Sequence, residues 1–129
     1  MTSTTSERTD ALDYAETIAA EVIGLADGEL DGYQLDGEDP DRAYAATMTW
    51  LAELALDVEV TRSVTTGTVT AVTVCRTIGG PNAWVTFDLT GDAEVHATWG
   101  RDEARVPIPG RMIAIPAEVI LDHYAEVIA

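Results

Sequence analysis

From Asp57 onward, apolar and polar side chains alternate with a period of two, and glycine-containing turns cut the alternation into short pieces. Val58 and Val60 alternate with Glu59 and Thr61. Residues 68–78, TVTAVTVCRTI, are dense in β-branched side chains, which fit a pleated sheet. Gly67 supplies the turn between these two strands, and Gly79-Gly80-Pro81-Asn82 breaks the pattern again. Ala83, Val85, Phe87 and Leu89 form one face of a third strand, Thr90-Gly91-Asp92 turns the chain, and Val95, Ala97 and Trp99 continue into a fourth. Beyond a turn at Gly100–Asp102, Arg105 and Val106 suit a short fifth strand, which Pro107 and Pro109 confine to an edge. Turns this short leave no length for a crossover, so the strands form an antiparallel meander.

Helical periodicity surrounds this block. From about Thr9 to Ala26, Leu12, Ala15, Ala19, Val22, Ile23 and Ala26 recur at three and four, one face of an amphipathic helix. Asp10 and Asp13 lie in its first turns, where the helix dipole favours negative charge, and Asp27-Gly28 ends it. Asp39 is a good N-cap with Pro40 at the first helical position, and a second helix runs to about Leu56. Its expected buried stripe is Tyr44, Met48, Leu51 and Ala55, with Leu54 beside it. A last helix starts at Pro116 and turns Ile120, Tyr124 and Val127 inward. The expectation is an α+β fold, a four- to five-stranded meander sheet with two N-terminal helices and one C-terminal helix packed on it. Residues 1–8 read as a disordered tail and 9–129 as a single acidic domain.

Charge narrows the function classes. The chain has 23 acidic residues, seven arginines and no lysine, for a net charge of −16. Residues 1–41 hold 12 of the acids and only Arg8. Such a field repels phosphates, which disfavours direct nucleic-acid binding, and attracts basic surfaces such as those of nucleic-acid-binding proteins. Adaptation of an ordinary domain to high salt gives the same composition, so a halophilic structural domain is an alternative. No apolar run is long enough for a transmembrane helix, and the polar start, Met1 to Asp10, lacks the pattern of a signal peptide. The expected location is the cytoplasm, away from membranes. With Cys75 as the sole cysteine, no intrachain disulfide or common zinc spacing arises.

The segment DGELDGYQLDGED, residues 27–39, reads as an acidic loop without helical or strand periodicity. Asp27, Glu29, Asp31, Gly32 and Glu38 fall at positions 1, 3, 5, 6 and 12 of an EF-hand-like loop. Gln34 and Leu35 at positions 8 and 9 do not suit that motif, and Pro40 starts the next helix after the loop rather than inside it. Asp27, Glu29, Asp31 and Glu38 are therefore the calcium alternative to a solvated connector or an acidic contact surface, and no cofactor or resident metal is expected. Cys75 reads as a structural thiol. His96 alternates with inward Val95 and Ala97, so it faces the other side of the sheet. No nucleophile–base spacing or phosphate-loop motif supports an enzyme, although one using Cys75 or His96 is a further alternative. Trp84 projects opposite Val85 and Phe87, with Trp99 placed near it by hairpin geometry. These tryptophans either cap the core or form a binding patch, since tryptophan is enriched at interface hot spots.

Several of these pieces form a shared pattern: Leu56-Asp57-Val58-Glu59 at the end of a helix, Gly79 to Val85 (Gly-Gly-Pro-Asn-Ala-Trp-Val), Thr90-Gly91-Asp92, Trp99-Gly100 and Arg105. Over Leu54–Arg105, about two-fifths of the chain, they resemble a family of small acidic proteins carried by phages and plasmids. The chain departs from that pattern in lacking a second tryptophan after Trp99 and in its proline-rich Val106–Pro109. The resemblance implies a mobile-element origin. Small acidic proteins of such elements resemble inhibitors of host defence, anti-CRISPR and antirestriction proteins, some of which imitate the charge of DNA. The leading expectation is such an inhibitor, not an enzyme. It would bind a nucleic-acid-binding protein of a host defence complex through Asp27, Glu29, Asp31, Asp36, Glu38, Asp39 and Asp41, with Trp84 as a further contact.

Overall fold

A computed structural model describes residues 10–30, 33–34 and 40–125 of the chain. The elements in chain order are α1 (Asp10–Ala26), β1 (Glu29–Leu30), β2 (Tyr33–Gln34), α2 (Pro40–Glu53), β3 (Asp57–Arg62), β4 (Val69–Thr77), β5 (Asn82–Asp88), β6 (Ala93–Trp99), β7 (Asp102–Ile108) and α3 (Ala114–Ala125). Strands β3 to β7 form one antiparallel sheet in sequential order, the meander that the alternation and turns predict. The α+β class, the helix placement and the strand order all agree with the sequence reading.

Register explains why one face is dry. Val58, Val74, Val85, Val95 and Val106 stand opposite one another across the five strands. The parallel row is Val60, Val72, Phe87, Ala93 and Ile108. Because side chains alternate across a strand, these two rows share a face, and most of their members are buried. The helices cover that face. α1 lies against β6 and β7, and α3 lies against β4 and β5. α2 packs on α3 and α1 and reaches the sheet through Trp50, whose ring meets Phe87 edge-on at 6.4 Å.

The structure corrects several local expectations. In α1 the buried positions are Ala11, Ala15, Ile18, Ala19, Val22 and Leu25, so the inward face is rotated from the expected stripe. Alanines at three of these positions let the helix axis approach the sheet closely. Of the stripe expected on and just after α2, Leu51, Leu54 and Ala55 do pack partly buried against the core, but Tyr44 is 54% exposed, and the fully buried residues are Ala43, Ala46, Thr47 and Trp50. The Thr47 hydroxyl donates to the Ala43 carbonyl at 2.7 Å, which satisfies it without leaving the helix. α2 stops at Glu53, short of Leu56. The Leu56 amide instead donates to the Cys75 carbonyl at 2.8 Å, which extends the pairing of β3 with β4 by one bond.

The fifth strand spans Asp102–Ile108 rather than only Arg105 and Val106, paired residue by residue with β6. β7 is an edge strand, so Pro107 costs no hydrogen bond to a further strand. Leu89 lies beyond β5 and is exposed rather than part of its inward face. α3 begins at Ala114, with Pro116 inside its first turn, where an absent N–H is tolerated. The expected inward Val127 lies outside the described residues. The acidic segment also contains structure that its composition hides. β1 and β2 pair antiparallel, Glu29 with Gln34 and Leu30 with Tyr33. Among the described residues, no helix is long and apolar enough to cross a membrane.

Candidate functional site: the open face of the sheet

The strand parity that turns valines toward the helices turns a different set of residues outward. Asp57, Cys75, Trp84, His96 and Arg105 form one row across β3 to β7, in cross-strand register. Glu59, Thr73, Thr86, Glu94 and Pro107 form the next. The three helices lie on the other side, so the described elements leave this face uncovered.

Trp84 is the centre of the first row. The His96 ring lies against it with centroids 5.4 Å apart and planes 31° from parallel. His96 in turn contacts Glu103 through Nε2. Arg105 donates to Glu94 at 2.9 Å and approaches Glu103 at 4.0 Å. On this half of the face, Glu94 and Glu103 therefore find partners within the molecule, in Arg105 and the His96 ring. The Thr73 and Thr86 hydroxyls join the halves at 2.9 Å.

The β3 half differs. Asp57 and Glu59 are exposed and have no ion pair or side-chain hydrogen bond among the described residues. Between them and Trp84 is a cavity of about 250 Å³. Thr73 and Cys75 line its inner part, and the exposed Leu56 and Ile78 border it.

The turn preceding β5 aims Trp84. Gly79 and Gly80 have φ of 108° and 91°, a region that glycine enters without steric cost, and the Gly80–Pro81 bond is cis. Asn82 fastens the turn: its Oδ1 accepts from the Gly79 amide at 2.9 Å, and its Nδ2 donates to Thr98 Oγ1 at 3.0 Å. Thr77 Oγ1 donates to the Pro81 carbonyl at 3.2 Å and accepts from the Tyr14 hydroxyl at 2.8 Å, which ties the turn to α1. The distinctive Gly-Gly-Pro-Asn stretch is thus the bracket that sets the start of the strand carrying Trp84.

Trp99 does not join Trp84. It lies on the helical side of the sheet, edge-on to Tyr14 at 5.7 Å, and is 41% exposed. The expected proximity of the two tryptophans fails on parity: Trp99 shares its face with Ala97 and Val95, and Trp84 stands opposite His96.

Cys75 is buried, and its thiol donates to the Thr77 carbonyl at 3.6 Å. Desolvation pushes its pKa up, and the nearby Asp57 and Glu59 charges push it further in the same direction. Trp84 stands between Cys75 and His96 on the row, so the thiol and imidazole do not pair. A thiol held away from the thiolate form is the opposite of an activated nucleophile. Alkylation of native Cys75 by iodoacetamide at neutral pH is expected to be about tenfold slower than in urea-unfolded chain, and Asp57→Asn with Glu59→Gln to speed it about two- to threefold. A raised folded-state pKa stabilises the fold below the ordinary thiol range. That contribution is lost as the pH rises through the raised value, so stability declines on the alkaline side.

The acidic corner lies elsewhere. Asp27 and Glu29 are exposed just beyond the C-terminus of α1, in the helical layer, whereas Trp84 is on the open face. Gly28, with φ of 78°, packs so closely on Arg42 that a Cβ there would lie 2.7 Å from the guanidinium Nε. Arg42 Nη2 donates to the Asp27 carbonyl at 2.9 Å, which pins this corner to α2. Asp41 is in the first turn of α2. Asp31, Asp36, Glu38 and Asp39 lie outside the described residues, so the expected grouping of seven carboxylates, and half of the calcium set, has no described geometry. Among the described residues, no group of three or more histidine, cysteine, aspartate or glutamate side chains is arranged to hold a metal ion. Asp57 and Glu59 are the site residues that the sequence reading passed over. Their signal was parity, since outward Asp57 and Glu59 follow from inward Val58 and Val60. Comparisons with protein-family models, curated proteins and solved structures find no match to the chain.

Proposed function

We propose that this protein is an acidic protein-binding module that occupies a basic surface of a nucleic-acid-handling defence complex, as an inhibitor of the anti-CRISPR or antirestriction kind. The observation that carries the binding role is the open sheet face, with Trp84 at its centre and Asp57 and Glu59 unneutralised beside it. A partly buried indole supplies the kind of anchor that dominates interface energies, and the carboxylates beside it select a cationic partner. The defence-system class is drawn from the resemblance around Gly79–Val85 to proteins of phages and plasmids. Net charge of −16 gives long-range attraction to a basic groove, and the acidic corner at Asp27 and Glu29 adds to that field from the helical side.

The test is affinity capture from host extract in low and high salt, followed by affinity measurements on the recovered partner. The expected partner binds nucleic acid, competes with it for this protein, and dissociates as salt shortens the screening length below about 8 Å. Trp84→Ala is expected to weaken the complex about tenfold or more. Asp57→Lys with Glu59→Lys should weaken it further, and Asp27→Lys with Glu29→Lys chiefly slows association. A complex indifferent to salt and to all three variants would overturn the proposal.

A further inference from the structure

Resting on the reading of the open face as a docking surface, we infer that the cavity between β3 and Trp84 is a receptor for a single arginine side chain presented by the partner. The lining is chemically mixed in a way few ligands satisfy. Asp57 and Glu59 stand on one side, the Trp84 indole on another, and the aliphatic Leu56 and Ile78 at the border. At about 250 Å³ the space is below the roughly 300–1,000 Å³ of sites for drug-sized molecules, which suits one side chain.

Each alternative occupant leaves something unsatisfied. An apolar group would desolvate two carboxylates without compensation. A calcium ion needs about six to eight oxygen ligands, and an indole with two aliphatic side chains is no part of such a shell. A second copy of this chain would bring the same carboxylates together, on molecules each carrying −16. A cation with an aliphatic stem fits all the walls. Its charge meets Asp57 and Glu59, and its stem lies along Leu56 and Ile78.

Arginine is preferred over lysine on shape. His96 covers one side of the indole, and the cavity borders Trp84 on the other. A planar guanidinium can stack there while its fork reaches carboxylates two residues apart on one strand face, with Cα atoms about 7 Å apart. An ammonium group is a point charge and uses neither plane nor fork. Besides desolvation, both carboxylates push the Cys75 thiol pKa up, in keeping with a field directed at the cavity.

The experiment is an amide and indole NMR titration of the full chain with N-acetyl-arginine methylamide, and with the matching lysine and norleucine derivatives. The arginine probe should shift Leu56, Asp57, Glu59, Cys75, Ile78 and the Trp84 indole signal, with a dissociation constant of about 1 mM or weaker for so small a ligand. The lysine derivative should bind several-fold more weakly, and norleucine not at all. Asp57→Asn with Glu59→Gln, both exposed positions, should keep the native spectrum and lose the response. No shift at tens of millimolar arginine probe, equal binding of lysine, or shifts spread over the whole acidic surface would each overturn the inference. Capture of the partner separates the two ideas. A partner bound through Trp84 without any arginine response would leave the docking proposal and sink the pocket. An arginine response without a captured partner would do the reverse.

Discussion

Replacing Trp50 with alanine is expected to lower the unfolding free energy by about 3–5 kcal/mol, the range for truncating a large buried aromatic. Trp50 is wholly buried, and its ring packs edge-on against Phe87 in the centre of the sheet. It is the largest side chain joining α2 to the sheet, so truncation leaves a cavity where two layers meet. The indole Nε1 also donates to Glu21 Oε2 at 2.6 Å, a bond that alanine cannot replace. Against a total of about 5–15 kcal/mol for a domain of this size, the loss is a large share. Urea unfolding followed by circular dichroism should show a much lower midpoint with an unchanged slope. Trp50→Phe keeps most of the apolar volume and loses only the donor, so it should cost clearly less. A Trp50→Ala effect below about 1 kcal/mol would mean that α2 does not depend on this contact.

The position of Trp50 was not legible in the sequence, and the reason is physical. Reading a helix by its large apolar residues selects Tyr44, Met48 and Leu51, yet the residues α2 buries fully are Ala43, Ala46, Thr47 and Trp50. Small residues mark close helix approach, and that approach depends on the partner helices, which a local window does not contain. The sheet was legible because each strand declares its own buried face by alternation, and Gly67, Thr90-Gly91-Asp92 and Gly100 declare the turns. The edge strand β7 was underestimated because its charged outward residues and Pro107 dilute the pattern, while pairing with β6 supplies what propensity lacks.

The site divides the same way. That Trp84 and His96 face away from the core follows from parity within one strand each. Their stacking, and the placement of Cys75 and Asp57 in the same row, follow only from register across four strands. For the acidic segment, composition counts charges without placing them, and Asp31, Asp36, Glu38 and Asp39 lie outside the described residues. Its first residues sit on the helical layer, away from Trp84.

Removal of the polar joint at Glu21 is the second large effect expected. Glu21 on α1 accepts from Arg76 Nε at 2.6 Å and Arg76 Nη2 at 3.0 Å, a two-pronged pair 55 residues apart in sequence. The same carboxylate accepts from the Trp50 indole, so one side chain joins α1, α2 and β4. The two side chains are only 20% and 18% exposed, so neither is well hydrated. Glu21→Ala removes the two-pronged acceptor of Arg76 and the acceptor of the Trp50 indole N–H at once. The expected loss is about 2–3 kcal/mol, below the about 3–5 kcal/mol of a fully buried pair because some water reaches the joint. Arg76→Met strands a carboxylate that still has the indole donor, so it should cost less. The double variant Glu21→Leu with Arg76→Met should recover part of the loss, because an apolar replacement removes both charges together. Recovery should remain incomplete while the Trp50 N–H has no acceptor. A double-mutant cycle by urea unfolding would measure the coupling, and a coupling energy near zero would show that the three elements are held by apolar packing alone.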